Sequence, residues 1–505
     1  MCARAMTTRL AVSTRMVRGV TATRMGIVAR MRGDATRRQK RHLSSVATRA
    51  AIRCDDESSS PSTWMIPPPP NGSSFDVIVV GNGPIGSAVA RHVATSSSFK
   101  DDDARAPQPS VLVLDSDALT SGSDDLGRIV RPLDAEGRDD WTALNVASIK
   151  SFDEMERKSG LKFFTRKGSL AIGSEPFVER GASKLRARGV AHERTKGGAA
   201  IAERWGFLTR NGIPESYEAV SDEVGGFVNP HAMRAAQNAL MRAANDEASV
   251  TRSTCVGVRS TEGSRCEVRT AEGNVYTCGV AVLACGAYTE PLARQCGLLD
   301  ESRASAFGGI KISRRTVVLA EILESEARGA LASMPTIKYE VPAKILERAR
   351  VRSASGTSDQ SLNEAKSVYV LPPIYYPGPE PSAGWYMKIG GGPNDFFDKS
   401  NPSYVRTERE LAEWMSSEGD ESVADQLHDI LLHAFPDVNF LSLSPKACVT
   451  TTSDDGSLQT SILGAGDDII AVSACQGKAA GPADAIGVQV AEMVLKQLSS
   501  KSCSS

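Results

Sequence analysis

The sequence of 505 residues lacks the features that mark a membrane span, a metal centre or a disulfide framework. Its longest apolar runs, such as residues 280–285, fall far short of the roughly 20 residues that a transmembrane helix needs. The six histidines and ten cysteines show no metal-ligand spacing and no CxxC motif. We therefore expect no membrane span, no bound metal, and cysteines that are mostly reduced.

The charge balance excludes another class of partner. The 59 basic residues nearly match the 60 acidic residues, which gives a formal net charge of -1 at pH 7. The chain therefore has no general attraction to nucleic acid or to an anionic membrane surface. There is also no internal repeat, heptad pattern or nucleic-acid-binding patch. Specific recognition must come from a local site.

The first 50 residues differ from the rest in composition. They contain eleven arginines and one acid, and they are rich in Ser, Thr and Ala, which is typical of a transit peptide. The polar stretch at residues 51–74 predicts a disordered linker, and residues 499–505 a short tail. Residues 41–45 resemble a mitochondrial processing site, whereas the Ser, Thr and Ala content also suits a plastid. We expect a mitochondrial location, with the chloroplast as the alternative.

A β-branched run at residues 75–80 is followed at once by a glycine-rich turn and a helical segment. This order predicts a strand, a dinucleotide-binding turn and a helix whose N-terminus faces phosphate groups. Gly81 permits the tight turn, Gly83 lets the backbone approach a pyrophosphate, and Gly86 lets the helix pack against the strand. The residues of this turn that we expect to bind the cofactor are Gly81, Gly83, Pro84, Ile85 and Gly86.

A second short strand at residues 111–114 ends in Asp115, the type of residue that accepts the ribose hydroxyls of a dinucleotide. The acid comes later than usual because the polar insert at residues 95–110 lengthens the connection. The agreement of strand, turn, helix, second strand and acid favours a dinucleotide site over a structural glycine turn.

The later sequence favours FAD over NAD. A strand at residues 280–284 leads into small residues around Gly286, which leave room for a cofactor. A strand at residues 469–472, a Gly/Ala-rich turn at residues 473–482 and a helix at residues 485–498 follow near the C-terminus. The N-terminal dipole of that helix is suited to stabilise an anionic reduced flavin.

Beyond the glycine turn, the chain resembles the amine-oxidising flavoproteins of the D-amino acid oxidase superfamily. This group is typified by monomeric sarcosine oxidase, N-methyltryptophan oxidase and pipecolate oxidase. The resemblance extends over residues 75–498. It depends on four stretches that match in order and spacing, at residues 122–131, 385–390, 446–454 and 469–487.

The resemblance implies an α/β (α+β) fold with a discontinuous Rossmann-type FAD-binding domain and a substrate domain built on a mostly antiparallel sheet. Alternating or β-branched stretches at residues 167–172, 314–321 and 367–371 agree with such a sheet. The expected FAD-binding domain consists of residues 75–150, 220–305 and 446–498. The expected substrate domain consists of residues 151–219 and 306–445.

The resemblance also implies roles for single residues. Lys388 matches a lysine that activates oxygen next to the flavin, and Tyr369 matches an active-site tyrosine. Arg128 matches an arginine near the flavin, and Arg131 matches one that binds the substrate carboxylate through its guanidinium fork. Each also fits an ordinary position, as a surface lysine, a surface ion-pair arginine or a core tyrosine.

Cys448 occupies the position at which sarcosine-oxidase relatives attach the flavin through a thioether. Covalent and non-covalent FAD therefore both remain open, because a buried, inert thiol is the structural alternative. The remaining cofactor contacts that we expect are Val256, Gly286 and Gly477.

The chain departs from the family pattern at the substrate pocket. Where the family has a Gly-His-Gly-x-Lys run, Lys478 replaces the histidine and Gly481 replaces a carboxylate-binding lysine. Two further histidine positions hold Asp124 and Gly392. We hypothesise that Lys478 takes over from the missing lysine as a partner of the substrate carboxylate.

Together these features predict an FAD-dependent enzyme that oxidises the C–N bond of a secondary, N-methyl or cyclic amino acid to an imine. The resemblance implies that oxygen accepts the electrons and forms hydrogen peroxide. One alternative is a dehydrogenase of the same fold that passes electrons to a quinone or flavoprotein. Another is a non-catalytic flavin-fold protein, which the missing pocket histidines would fit.

If residues 1–50 form a mitochondrial transit peptide, a fluorescent protein that carries them should enter isolated mitochondria and be shortened there. Replacement of Arg37, Arg38 and Arg41 by glutamine should reduce uptake, because the positive charge of the leader is lost. Immunoblotting of protease-treated organelles measures both effects. Uptake by isolated chloroplasts in place of mitochondria would move the location to the plastid.

Overall fold

The computed structural model of the chain describes residues 65–96, 108–116, 119–208, 212–262, 265–299, 307, 309–345, 367–391 and 404–502. The expected transit peptide, the first part of the expected linker and Gly392 lie outside the described residues.

The described residues form 21 strands and ten α-helices. The strands are β1 (Met65–Ile66), β2 (Ser74–Val80), β3 (Val111–Asp115), β4 (Arg128–Val130), β5 (Phe164–Arg166), β6 (Ser169–Ser174), β7 (Glu193–Lys196), β8 (Tyr217–Asp222), β9 (Gly226–Val228), β10 (Ala248–Arg252), β11 (Cys255–Thr261), β12 (Arg265–Thr270), β13 (Val275–Leu283), β14 (Lys311–Ile322), β15 (Thr336–Glu340), β16 (Ser367–Tyr376), β17 (Gly384–Gly390), β18 (Tyr404–Val405), β19 (Ser442–Thr452), β20 (Gln459–Leu463) and β21 (Ile469–Ser473). The helices are α1 (Pro84–Ala94), α2 (Asp139–Ser159), α3 (Glu175–Ala187), α4 (Gly198–Arg204), α5 (Pro230–Ala244), α6 (Thr289–Gln295), α7 (Glu324–Arg328), α8 (Glu408–Met415), α9 (Glu421–Ala434) and α10 (Ala483–Ser502). None of these helices is long and apolar enough to cross a membrane.

The first sheet contains the dinucleotide turn. Its strand order is β1-β10-β3-β2-β13-β12-β11, and β21 pairs with both β13 and β20. The pairs from β1 to β13 and from β13 to β21 are parallel. Apolar residues are buried on both faces of these central strands, and helices α1, α2, α5 and α10 contribute to the core on one side. Buried β-branched runs are typical of parallel strands covered on both sides, so the predicted Rossmann-type fold is confirmed.

The second sheet is the expected antiparallel one. Its strand order is β18-β14-β17-β16-β15-β6-β8-β7, and β19 pairs along the length of β14. Every described pair in it is antiparallel except that of β15 with β6. One face belongs to a large apolar core that includes Met387 and Ile389, so the residue between them, Lys388, faces the opposite side. A third, small sheet joins β4, β9 and β5.

The linker and the domain boundaries differ from the sequence expectations. Residues 65–74 are not a disordered linker, because β1 pairs with β10 and the Tyr276 hydroxyl donates to the Pro69 carbonyl at 3.1 Å. Both contacts join distant parts of the chain, which a local pattern does not reveal. The expected boundaries at residues 220 and 446 fall inside β8 and β19, both of which belong to the second sheet. The boundary at residue 150 falls inside α2.

Asp484, in the first turn of α10, connects three helices. It forms an ion pair with Arg91 of α1 and contacts His92 Nε2 at 2.9 Å, and its second oxygen accepts from the Ser151 hydroxyl of α2. Burial alone would raise the pKa of Asp484, but the His92 hydrogen bond and the Arg91 charge lower that pKa to about 2. The helix that follows the dinucleotide turn is thus fixed by the last helix of the described chain.

We expect Asp484→Asn to lower the free energy of unfolding by about 3 kcal/mol, because it leaves the largely buried Arg91 charge without its carboxylate. Urea unfolding followed by circular dichroism measures the change. The matched control is Asp246→Asn, which removes a carboxylate that is 95% exposed and 3.9 Å from Arg242. That control should leave the midpoint unchanged, since exposed ion pairs contribute little. Equal midpoints for both variants would contradict the role of Asp484.

Candidate functional site

The dinucleotide turn has the geometry that its glycines predict. Gly81 has a φ of +102°, and its N–H donates to the Leu114 carbonyl at 2.9 Å. A Cβ atom at Gly81 would lie 2.6 Å from the Ala284 carbonyl oxygen, and one at Gly86 would lie 1.9 Å from the Gly81 carbonyl oxygen. No atom lies within 4 Å of the corresponding position at Gly83. Gly81 and Gly86 are therefore required by packing, whereas Gly83 faces open space.

The start of α1 fits the pyrophosphate of FAD. The helix begins at Pro84, and Gly83 at the N-cap position provides no side-chain cap for the first amide groups. Uncapped amides and the positive end of the helix dipole form an anion-binding site. Ile85 is buried and anchors this turn in the core of the first sheet. The open side of Gly83 leaves space next to the same amides.

Asp115 ends β3 at the edge of the sheet where the turn lies. Asn82 Nδ2 donates to Asp115 Oδ2 at 3.2 Å, and Arg234 Nη1 lies 3.6 Å from the same oxygen. The Ser253 N–H donates to the Asp115 carbonyl at 3.0 Å, which brings the chain that leads into β11 to this edge. Val256, an expected cofactor contact, follows there with an exposed side chain. The arrangement fits the ribose end of the dinucleotide.

Two further turns contain expected cofactor residues. Gly286 follows β13 with a φ of +60°, and a Cβ atom there would meet nothing within 4 Å. After β21, Ala474, Gln476 and Gly477 all have positive φ values, of 57°, 53° and 68°. Non-glycine residues rarely adopt this conformation, and such strain concentrates at functional sites. A Cβ atom at Gly477 would lie 2.9 Å from Thr450 Cγ2, so glycine is needed where this turn meets β19.

Lys388 is buried at the centre of a charged cluster. It is 1% exposed, it forms an ion pair with Asp125, and its ammonium donates to the Gly127 carbonyl at 2.9 Å. The Tyr376 hydroxyl donates to the other Asp125 oxygen at 2.6 Å, and Arg128 Nη1 lies 3.6 Å from Asp125 Oδ2. Lys388 is therefore not a surface lysine.

This environment changes how both members of the ion pair titrate. Burial, with a further contribution from Arg128, lowers the pKa of Lys388 to about 8, although Asp125 opposes the shift. Burial alone would raise the pKa of Asp125, but Lys388, Arg128 and Lys446 hold that pKa well below its usual range. The ion pair is intact at neutral pH, and Lys388 loses its proton as the pH rises through about 8.

Strand register places several of these residues on one face of the second sheet. Tyr369 lies opposite Gly390, and Lys388 is two residues from Gly390, so both side chains project from the same face. Lys338 of β15 lies opposite Tyr369 and therefore shares this face. The sheet thus presents two lysines and a tyrosine on the side away from its large apolar core.

Cys448 lies on β19, directly opposite Arg315 of β14. It is buried, and its sulphur is 4.0 Å from the Gly122 carbonyl oxygen, which also accepts a hydrogen bond from Arg128. Burial would lower the pKa of Arg128, but neighbours that include Cys448 and Asp125 raise it. The cysteine is thus beside the arginine expected near the flavin, and covalent attachment stays a prediction.

Arg131 and Lys478 meet at a second charged cluster. The Lys478 ammonium forms ion pairs with Asp134 and with Glu136, the latter at 2.9 Å. Arg131 Nη2 lies 3.9 Å from Glu136 Oε2, whereas Arg131 Nη1 is buried without a hydrogen-bond partner. The structure thus places Lys478 near Arg131, but two carboxylates of the protein hold its ammonium.

Sequence reasoning missed several residues of both clusters. Asp125 lies within the arginine motif at residues 122–131, and Glu136 follows that motif. An acid in a short polar stretch gives no sign of its contacts in the folded chain. The signal for Lys338 is its position between apolar residues in β15, which places it on the opposite face from Ile337 and Tyr339. The structure also brings His231 within 3.3 Å of Asp124, the position where the family has a histidine.

We expect Gly83→Ala to weaken cofactor binding and Gly86→Ala to lower stability. Gly83→Ala should keep the urea midpoint of the cofactor-free protein, because its backbone is extended and its surroundings are open. It should weaken FAD binding by about tenfold or more, measured by quenching of flavin fluorescence. Gly86→Ala should lower the midpoint itself, since backbone atoms stand in the way. A loss of stability in Gly83→Ala without a change in FAD affinity would contradict this assignment.

Comparisons with known proteins agree with this geometry. Among solved structures, NikD, an amino acid oxidase essential for nikkomycin biosynthesis, has a TM-score of 0.60 at 19% identity and covers 84% of this chain and 94% of its own. L-proline dehydrogenase from P. horikoshii has a TM-score of 0.59 at 13% identity, with coverage of 84% and 94%. Glycine oxidase from Geobacillus kaustophilus has a TM-score of 0.55 at 14% identity, with coverage of 84% and 95%. A search of curated protein sequences found no significant match.

At these identities the solved structures show the fold alone. The family model described as FAD dependent oxidoreductase, however, matches residues 76–493, which is most of the chain and includes both charged clusters. The protein therefore belongs to the family of FAD-dependent oxidoreductases and is a flavoenzyme.

Proposed function

We propose that the protein oxidises the C–N bond of a secondary, N-methyl or cyclic amino acid to an imine. The amino acid loses two electrons and two protons, and oxygen takes up both to form hydrogen peroxide. The observation that carries the proposal is the buried ammonium of Lys388, on the sheet face that also presents Tyr369. A fixed cation in a water-poor site stabilises the negative charge that develops on oxygen as it is reduced.

The cofactor site fits FAD, which supplies the acceptor for the hydride that leaves the carbon next to nitrogen. The residues of the protein would hold the cofactor and orient it. The start of α1 and the open side of Gly83 suit the pyrophosphate, and Asp115 suits the ribose. The turn with strained backbone at Ala474 and Gln476 lies before α10, whose N-terminus offers a second positive dipole.

The unpaired guanidinium nitrogen of Arg131 supports a substrate that carries a negative charge. Its Nη1 is buried and lacks a hydrogen-bond partner, and a buried donor without a partner costs free energy that a bound acceptor recovers. A carboxylate matches the planar guanidinium better than other common acceptors do. An amino acid, with a carboxylate next to the C–N bond, brings such a group to Arg131.

One observation favours the dehydrogenase alternative. The charge of Lys388 is offset by Asp125, so the net positive potential near oxygen is smaller than that of a lone lysine. The fold itself accommodates both types, because the solved structures include oxidases and an L-proline dehydrogenase. A mitochondrial location, which the composition of residues 1–50 supports, would provide quinone and flavoprotein acceptors.

The test is anaerobic reduction of the purified flavoprotein by sarcosine, pipecolate, proline and N-methylated amino acids, followed by admission of air. We expect one of these amines to bleach the flavin. Admission of air should then restore the flavin colour quickly and form one equivalent of peroxide.

Lys388→Met should slow the return of the flavin colour by about 100-fold and change bleaching much less. The matched control is Lys150→Met, which removes an exposed lysine of α2 and should behave as the native protein. Recolouring should also slow as the pH rises through about 8, because Lys388 then loses its charge.

Other outcomes contradict the proposal in distinct ways. Bleaching with slow recolouring in air, together with fast reduction of a quinone, would establish the dehydrogenase. A flavin that none of these amines reduces would place the substrate outside this class. A protein that is purified without flavin and does not take it up would support the non-catalytic alternative.

A further inference from the structure

The second charged cluster contains three cations and two carboxylates. Lys478 pairs with Asp134 and Glu136, and Asp134 also accepts from the Arg138 N–H at 3.0 Å. Arg131 approaches Glu136 with one of its two terminal nitrogens. The third cation is Lys338. Burial would raise the pKa of Glu136, but Lys478 and then Lys338 hold that pKa well below its usual range. With Arg315 as a further cation near Lys338, the cations outnumber the carboxylates.

Arg131 carries the unsatisfied buried donor of this cluster, and Lys338 is a half-buried cation near it. Arg131 Nη1 is buried without a hydrogen-bond partner. Within the part of the chain that the structure describes, the ammonium of Lys338 has neither a hydrogen bond nor an ion pair. Burial, together with Arg131, Lys478 and Arg315, lowers the pKa of Lys338 to about 8 against the opposing effect of Glu136. A charged group in such a place is costly unless it meets a counter-ion.

Sheet register explains how Lys338 comes to face Arg131. Lys338 lies opposite Tyr369 on one side and is paired with Ala171 of β6 on the other. Ala171 packs in a small apolar cluster with Leu133 and Ala135, which flank the cluster residue Asp134. The segment after Arg131 therefore lies on the sheet face from which both Lys338 and Tyr369 project.

The replacement of the family lysine by Gly481 also has a structural cause. A Cβ atom at Gly481 would lie 2.5 Å from Asn145 Oδ1 and 3.4 Å from the Ile129 carbonyl oxygen and from Val130 Cα. Asn145 is buried and donates to the Trp141 carbonyl at 2.9 Å, so it has little freedom to move aside. A side chain at position 481 would therefore require the Asn145 side chain to give up its hydrogen bond, which fits the glycine at this position.

We propose that Lys338, together with Nη1 of Arg131, binds the carboxylate of the amino-acid substrate. This inference rests on the proposed function and names the residue that sets its preference for an acid. Lys478 then has a structural role, because its ammonium is paired with Asp134 and Glu136. A substrate carboxylate adds an anion to a cluster in which cations are in excess, whereas a neutral amine leaves the buried Arg131 nitrogen without a partner.

Binding of methoxyacetate to the flavoprotein tests the assignment. This probe has an ether oxygen in place of the amine nitrogen, so it presents a carboxylate that cannot form an imine. Calorimetry should show that Lys338→Met raises its dissociation constant by about 10- to 100-fold. Lys338→Arg should retain most of the affinity, and Lys150→Met all of it. The methyl ester of the probe should bind weakly and equally to all four proteins.

The pH profile distinguishes Lys338 from its neighbours. The affinity of the native protein for methoxyacetate should fall as the pH rises through about 8, because Lys338 is neutral above its pKa. Lys338→Arg should lose this dependence, since a guanidinium stays charged across the range. The groups that face Lys338 are Glu136, Arg131, Lys478 and Arg315, and all of them are retained in that variant.

Two results would overturn the inference while the proposed function stands. One is an unchanged dissociation constant in Lys338→Met. The other is a Lys338→Met protein that loses flavin but keeps its affinity for methoxyacetate, which would assign the lysine to the cofactor. If the native protein binds neither methoxyacetate nor any amino acid that reduces its flavin, the inference and the proposed function both fail.

Discussion

The buried ion pair between Lys388 and Asp125 is the constraint on which the geometry of the site depends. Its members are 263 residues apart, and removing both charges from water is costly unless each is fully hydrogen bonded. Here Tyr376 and Arg128 contact the carboxylate, and the Gly127 carbonyl accepts from the ammonium. Arg128 and Arg131 follow Asp125 within six residues. The ion pair between Lys388 and Asp125 therefore also fixes where this segment meets the second sheet. One buried contact thus positions Lys388 and both arginines of the motif relative to each other.

The parts of the fold that the sequence predicts well are those that local pattern determines. The strand before Gly81, the turn and α1 follow each other directly, and each has a short-range signature. The charged clusters have no short-range signature, because the burial of Asp125 and the position of Lys338 depend on strands that pair far along the chain. The same cause explains why residues 65–74 were expected to be disordered, since β1 is stabilised by a partner more than 180 residues later. Lys478 was predicted from its place in a motif, but its carboxylate partners were visible only in three dimensions.

The family membership and the fold leave the electron acceptor to be decided by individual residues. Structures with similar coverage of this chain include both oxidases and a dehydrogenase, as expected of a scaffold on which different sites are built. Two lysines of this chain differ in the charged groups that surround them. Lys388 is neutralised by an acid, whereas Lys338 lies in a cluster with an excess of positive charge. The first arrangement lowers the net positive charge around Lys388, and the second leaves a net positive charge around Lys338.

The contact between Asp484 and Arg91 spans 393 residues and has a consequence for how the protein is made. The glycine turn is synthesised early, but β21 and α10, which complete the first sheet and fix α1, are synthesised last. Domains with such distant contacts fold slowly and expose unpaired strand edges until the final elements arrive. The ribosome must therefore release almost the whole chain before the dinucleotide site exists.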